Sequence, residues 1–213
     1  MFMLGIAGTK RVKGMKKVAI TGGIATGKST VIRMIKDLGY DVLSSDEIAR
    51  RLTKKGEIGY NRILEAFGVG ILDDNGEIDR RRLGNIVFNN PEKKALLESI
   101  LHPLIRAEMD RLVTEIGMKN PCSPVFIEIP LLFEVRAENR FDYIVVVYVP
   151  KELQIKRLME RDGLSYDEAE IRLKNQIDIE VKRQRAHFVI DNCGSLEDTK
   201  RQVFEMIDRL KKL

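Results

Sequence analysis

The residues most able to do chemistry stand together near the start of the chain, in Thr21-Gly22-Gly23-Ile24-Ala25-Thr26-Gly27-Lys28-Ser29-Thr30. From Gly22 to Ser29 this reads Gly-x-x-x-x-Gly-Lys-Ser, a complete P-loop. Glycines let the backbone turn tightly enough for successive N–H groups, and the N-terminus of the following helix, to face one anion. A lysine in this position reaches the β- and γ-phosphates of a nucleoside triphosphate, and the Ser29 hydroxyl is a ligand for Mg²⁺. Gly23, Ile24, Ala25, Thr26, Gly27, Lys28, Ser29 and Thr30 are therefore the expected nucleoside-triphosphate-binding loop.

Such a loop needs a strand before it and a helix after it. Val18-Ala19-Ile20 is a short apolar run suited to a buried strand, and Val31, Ile32, Ile35 and Leu38 recur at helical spacing. Gly39 closes that helix, and Tyr40-Asp41-Val42-Leu43 reads as a second strand. Ser44-Ser45-Asp46-Glu47 has the form of a capping box opening a helix through Ile48, Ala49 and Leu52. Asp46 then falls in the first turn of a helix, beyond the carboxyl end of a strand, where open α/β sheets bind ligands.

From Lys54 to about Pro124 no strand is expected. Ile63, Leu64 and Phe67 mark a helix, and Asp73-Asp74-Asn75-Gly76 is a turn that lacks the remaining ligands of a calcium loop. Asn90-Pro91 starts another helix, Pro103 should break it after Leu101-His102, and a further helix should run through Leu104, Ala107, Leu112 and Ile116. So much helix between two strands reads as an inserted subdomain, about 55–123, within a core of about 15–54 and 124–213.

Val125 to Ile129 and Tyr143 to Val149 are continuous apolar runs, as expected of parallel strands covered on both faces. The helix that follows has Ile155, Leu158 and Met159 on its apolar side and Gln154, Arg157 and Arg161 on the other. Ser165-Tyr166-Asp167-Glu168 is a second capping box. Phe188-Val189-Ile190 is a fifth strand, and Ser195 caps a last helix with the stripe Leu196, Val203, Ile207 and Leu210. Alternating strands and helices behind a P-loop predict a three-layer α/β fold with a five-stranded parallel sheet. The charged hairpin over about 157–183 is the expected helical lid.

Composition sets the bounds. The chain has 213 residues, 32% of them charged and 44% hydrophobic, enough for one sizeable core. Its longest apolar run is far too short to span a bilayer, and Leu4 to Ala7 is too short for a signal peptide. Cys122 and Cys193 have no metal-ligand spacing and read as reduced thiols in a cytoplasmic protein. The net charge of +5 suits acidic partners, and no motif for nucleic acid accompanies it. Lys, Arg and Glu are abundant and Trp is absent, a weak thermophile signal. Residues 1–14 precede Met15 and read as an N-terminal extension, with Met15 an alternative start.

Among P-loop proteins, a GTPase would carry Asn-Lys-x-Asp and a transporter ATPase its own signature; both are missing. The remaining readings are a kinase for a small acceptor, such as a nucleotide or a shikimate-like alcohol, and a P-loop binding module without turnover. Over residues 16–210 the sequence resembles the dephospho-coenzyme A kinase family. The resemblance rests on Ile20 to Ile24, Ser45-Asp46-Glu47-Ile48-Ala49-Arg50, and Gly76 to Arg80 with Leu83, Val87 and Phe88. It continues through Leu101-His102-Pro103, Ile129-Pro130-Leu131-Leu132-Phe133-Glu134, Gln154 to Arg161, and Ile190-Asp191-Asn192-Cys193-Gly194-Ser195. Two positions depart from the family pattern: Ser44 stands where Asp is common, and His187 follows Ala186 where Asp is usual.

The resemblance implies ATP-dependent phosphorylation of the ribose 3′-hydroxyl of dephospho-CoA, the last step of coenzyme A biosynthesis, with Mg²⁺ accompanying ATP. It implies Asp46 as the catalytic acid, beside Lys28 and Arg161, whereas its bland role is to complement a helix dipole. Gly23 to Thr30 would form the ATP-binding loop, Arg157 would assist at the ATP site, and Asn192 and Gly194 would frame the adenine. For both arginines the competing reading is a solvated helix face paired with Glu160 or Asp162, and for Asn192 and Gly194 a plain turn. Arg80, His102, Pro130 and Leu131 would line the acceptor site, the alternatives being a solvated arginine run, a packed histidine and core packing. ATP and dephospho-CoA are the expected partners, with no nucleic acid or membrane, for a monomer or weak homo-oligomer.

Overall fold

The computed structural model describes residues 15–213, so the expected N-terminal extension lies outside the described residues. The sheet strands are β1 (Lys17–Gly22), β2 (Val42–Ser44), β3 (Val125–Glu128), β4 (Tyr143–Tyr148) and β5 (Phe188–Asp191), in the order β2-β3-β1-β4-β5. β1 pairs in parallel with β3, setting Ile20 beside Glu128, and with β4, setting Gly22 beside Val147; β4 pairs in parallel with β5. The α/β class and the five-stranded parallel sheet agree with the sequence reading.

Period-two alternation sorts the strand residues onto two faces. Val18, Ile20, Val145 and Val147 pack with Val31 and Ile35 of α1 (Lys28–Asp37) and with Val203, Ile207 and Leu210 of the last helix (Leu196–Lys212). Ala19, Ile144, Val146 and Tyr148 turn the other way, onto Leu132, Phe133 and Ile179. The sheet is covered on both faces, and each fully buried aliphatic contributes about 1.5–3 kcal/mol. β2 begins two residues later than expected, and Tyr40 before it stands edge-on to Phe126, with ring centroids 5.7 Å apart.

The helices between are α2 (Ser45–Leu52), α3 (Ile58–Phe67), α4 (Arg80–Phe88), α5 (Pro91–Lys119), α6 (Lys151–Asp162), α7 (Tyr166–Lys174) and α8 (Ile179–Gln184), and the last helix is α9. Ser44 caps α2 by accepting from the Glu47 N–H, one half of the expected capping box; Ser165 and Ser195 form complete boxes. The described residues make two compact units, one of Ser44–Glu115 and one of residues 15–43 with Ile116–Leu213. In the first, Ile63, Ile71 and Leu83 form a core with Phe67, Leu97 and Leu101 around it.

Three expectations need correction. Pro103 does not end a helix: α5 runs unbroken from Pro91 to Lys119. Proline withholds one N–H and costs about 3 kcal/mol, but stopping there would create two new ends, each with four unpaired backbone groups. Leu97 and Leu101 before it, and buried Met109 and Val113 after it, anchor both halves. Gln154 is not on an open face; it is 2% exposed and buried at the phosphate loop. Leu196 leaves the α9 stripe and stands 63% exposed, while Thr199 is buried in the first turn of that helix.

Candidate active site

The P-loop joins β1 to α1 through two left-handed residues, Ala25 at φ 58° and Gly27 at φ 87°. Gly27 is required twice over, because a Cβ there would also collide with the Asn192 amide nitrogen. Inside the loop the Gly23 carbonyl accepts from the Thr26 hydroxyl at 2.9 Å and from Lys28 Nζ at 3.0 Å. Thr26 is buried, and its side chain ties the loop to itself.

Ala25 to Thr30, Glu128, Arg157, Arg161, Asn192 and Leu196 enclose a cavity of about 470 Å³. Lys28, Arg157 and Arg161 bring three cations to it against the single carboxylate of Glu128. The N-terminus of α1 adds its own positive end. Its charge and size suit an anion as large as a polyphosphate.

The two arginines are held differently. Arg157 donates to the Asn192 carbonyl at 2.9 Å. Arg161 is 57% exposed and makes a two-pronged pair with Asp162, at 2.8 and 3.1 Å, and Arg172 of α7 donates to the same carboxylate at 2.7 Å. The Arg161 bond, then the nearby arginine charges, hold the Asp162 carboxyl below its ordinary range. Arg161 therefore lines the cavity while paired on its own helix, combining the two rival sequence readings.

The Asn192 amide is engaged at both ends. Its nitrogen donates to the Thr26 carbonyl at 2.9 Å, and its oxygen accepts from the Thr199 hydroxyl at 2.9 Å. The side chain expected to frame a base thus braces the phosphate loop. Gly194 lies in the turn before α9, where a Cβ would come within 3.1 Å of the Asp198 carboxylate that completes the cap. The Pro130 carbonyl accepts from the Thr21 hydroxyl at 3.2 Å, and Leu131 is 42% exposed while Leu132 is buried.

The remaining predicted residues belong to the first unit. Asp46 is exposed in the first turn of α2, as its sequence position implied. Arg80 opens α4, whose cap is the Asp79 carboxylate accepting from the N–H groups of Arg81 and Arg82. With Arg50 and Lys54, Arg80 rims a cavity of about 300 Å³ floored by Ile63, Leu83 and Leu101. An apolar floor under three cations, with the Glu77 carboxylate also in the lining, suits a phosphorylated ligand with an apolar arm. His102 is half-buried on α5 and is not part of that lining.

Sequence reasoning gave no role to Glu128, Gln176 or Thr199. An acid ending the apolar run Val-Phe-Ile was the available signal for Glu128. Nothing local marks Gln176, whose partner lies 152 residues away, and no motif marks Thr199, although it bonds Asn192 only seven residues before it. Glu128 and Ser29 line the same cavity and are hard oxygen donors, suited to a divalent cation that takes most of its ligands from phosphates and water. Among the described residues no three His, Cys, Asp or Glu side chains gather as a metal site of their own. No helix among them is long and apolar enough to cross a membrane.

The model of the dephospho-CoA kinase family matches residues 16–198. The dephospho-CoA kinase of Carboxydothermus hydrogenoformans is 42% identical over 194 residues, covering 91% of this chain and 94% of the relative. That of Geobacillus kaustophilus is 44% identical over 190 residues, covering 89% and 94%. Among solved structures, the dephospho-CoA kinase from Campylobacter jejuni is 38% identical with a TM-score of 0.71, covering 93% of this chain and 98% of that one. A protein from Thermus thermophilus is also 38% identical, with a TM-score of 0.76 and coverage of 93% and 99%. A cation-lined cavity at the P-loop, a parallel α/β sheet and a match over most of the chain agree on one conclusion: the chain belongs to the dephospho-CoA kinase family.

Proposed function

We propose that this chain transfers the γ-phosphoryl group of ATP to the ribose 3′-hydroxyl of dephospho-CoA, giving coenzyme A and ADP. The observation that carries the reading is the cavity in which the phosphate loop, Lys28, Arg157 and Arg161 meet, in a chain matched to the family over residues 16–198. The 3′-oxygen forms a bond to the γ-phosphorus as the bond from that phosphorus to the β,γ-bridging oxygen breaks, and ADP leaves with that oxygen. The hydroxyl proton passes to Asp46 and then to solvent. Asp46 suits this role because an exposed carboxylate in the first turn of α2 is free to orient and deprotonate an alcohol.

Lys28 leaves the Gly23 carbonyl to hold the β- and γ-phosphates, and Arg161, assisted by Arg157, stabilises charge on the moving phosphoryl group. Ser29 and Glu128 would hold Mg²⁺ together with the phosphates, and the ion would supply charge neutralisation when bound. The Gly23–Thr30 backbone cradles the triphosphate, and Gly194 permits close approach of the adenine. Arg80 holds the acceptor pyrophosphate, His102 supports that region, and Pro130 and Leu131 form an acceptor wall. We place the enzyme in the cytoplasm as a monomer or weak homo-oligomer, with residues 55–123 serving the acceptor and 157–183 acting as lid.

The test is an acceptor panel followed by ADP release, containing dephospho-CoA, nucleoside monophosphates and shikimate-like alcohols. Dephospho-CoA is expected to give ADP and coenzyme A in equal amounts. ADP release with another acceptor alone, or ATP binding without release for any, overturns the reading.

A further inference from the structure

One peptide unit in the phosphate loop is held at both of its polar ends. Its carbonyl, Gly23 O, accepts from the Thr26 hydroxyl at 2.9 Å and from Lys28 Nζ at 3.0 Å. Its N–H, on Ile24, donates to Gln176 Oε1 at 3.0 Å. Gln176 stands 152 residues away, in the link between α7 and α8. A peptide plane has one rotational setting in which both ends are satisfied. Gln176 therefore selects the setting that turns the carbonyl toward Lys28.

The surroundings make this setting firm. Gln154 Oε1 packs on the bare Cα of Gly23, where any Cβ would collide with it, and Gln154 Nε2 donates to the Val149 carbonyl at 3.0 Å. Gln176 is anchored in turn, since its N–H donates to the Leu173 carbonyl at 2.9 Å. The next N–H, on Ile177, donates to Glu134 Oε1 at 3.0 Å, and Lys182 Nζ lies 2.7 Å from that same oxygen. The segment 176–182 is pinned to a buried ion pair at one end and grips the donor loop at the other.

We propose that Gln176 is a positioning residue for the donor: it orients the Gly23–Ile24 peptide and so presets Lys28 for the phosphates. It acts through the loop and need not touch the substrate. The inference rests on the kinase reading above, but its first test does not. Gln176 is half-buried, so substitution there spares the core.

Gln176→Met keeps length and removes the acceptor. In enzyme without substrates, amide hydrogen exchange over residues 21–27 should accelerate while exchange in α9 stays unchanged. Gln176→Glu restores an acceptor and should restore protection of that peptide. Titration with ADP should show Kd raised roughly threefold to tenfold in Gln176→Met, the loss expected for one hydrogen bond. KM for dephospho-CoA should not move. Unchanged exchange over 21–27 in Gln176→Met overturns the proposal, as does exchange in Gln176→Glu equal to that in Gln176→Met. A fall in thermal midpoint with no change in exchange or in ADP affinity also overturns it. Wild-type enzyme inactive on dephospho-CoA would overturn the functional reading and leave the exchange test standing.

Discussion

The ion pair between Glu134 and Lys182 offers a severe test of how the second unit is held together. Lys182 is 0% exposed and Glu134 17%, with Nζ and Oε1 2.7 Å apart in an ion pair outside hydrogen-bonding geometry. Glu134 Oε2 has no hydrogen-bond partner among the described residues. Glu134→Gln keeps an acceptor for the Ile177 N–H but strands a buried ammonium, at a cost of about 3–5 kcal/mol. For roughly 200 residues that lowers the thermal midpoint by about 6–20 °C. Lys182→Met strands a carboxylate whose Oε2 is buried and unpaired and whose Oε1 keeps only the Ile177 N–H, so its cost should likewise be about 3–5 kcal/mol. The double variant contains no stranded charge and replaces a long cation by an apolar chain of similar length. It should fall within about 1 kcal/mol of wild type. Urea unfolding of all four proteins at neutral pH closes the cycle, with a coupling energy of several kcal/mol as the expected result. Single costs that simply add in the double variant would refute the view that stranded charge, and not lost packing, dominates.

Four further outcomes follow from the site. Lys28→Ala should weaken nucleotide binding as well as turnover, whereas Asp46→Asn should lower turnover with ATP affinity retained; equal loss of ATP binding in calorimetry would contradict the division of roles. Arg161→Ala should lower kcat by roughly two orders of magnitude or more, and steady-state kinetics showing only a raised KM would place the arginine in ground-state binding. Arg80→Ala should raise KM for dephospho-CoA roughly tenfold or more with that for ATP unchanged, and a selective rise for ATP would move the residue to the donor. The Glu170 carboxyl is pulled down to about 2 by hydrogen bonds from Lys151 and then Lys174, bridging α6 and α7. A depressed folded value stabilises above the unfolded value near 4.5 and is lost as pH falls toward about 2. Thermal midpoints of Glu170→Gln should accordingly lie below wild type at neutral pH and converge with it across that window.

Local chemistry was legible in the sequence. Gly22 to Ser29 fixes its own conformation through glycines and the helix it opens, so the donor loop could be read from eight residues. The strands could be read as well, because Val145 to Val147 cannot be satisfied except between two covered faces. Ser165 and Ser195 announced their helices through partners three residues away. Where reading failed, the deciding partner was far along the chain or the balance was cooperative. Pro103 looked like a stop because its local cost is visible, while the anchoring of α5 on both sides of it is not. Leu196 fitted a stripe that the first turn of α9 does not bury. Gln154, Gln176 and Asn192 carry no motif that states their direction. Folding brings each of them to the loop at 23–27, where a bare glycine Cα and unpaired peptide groups can accept them. The P-loop motif alone names the residues proposed to meet the phosphates, whereas the side chains that hold that loop still come together on folding, because a hydrogen bond spanning 152 or 166 residues exists only after the sheet has assembled.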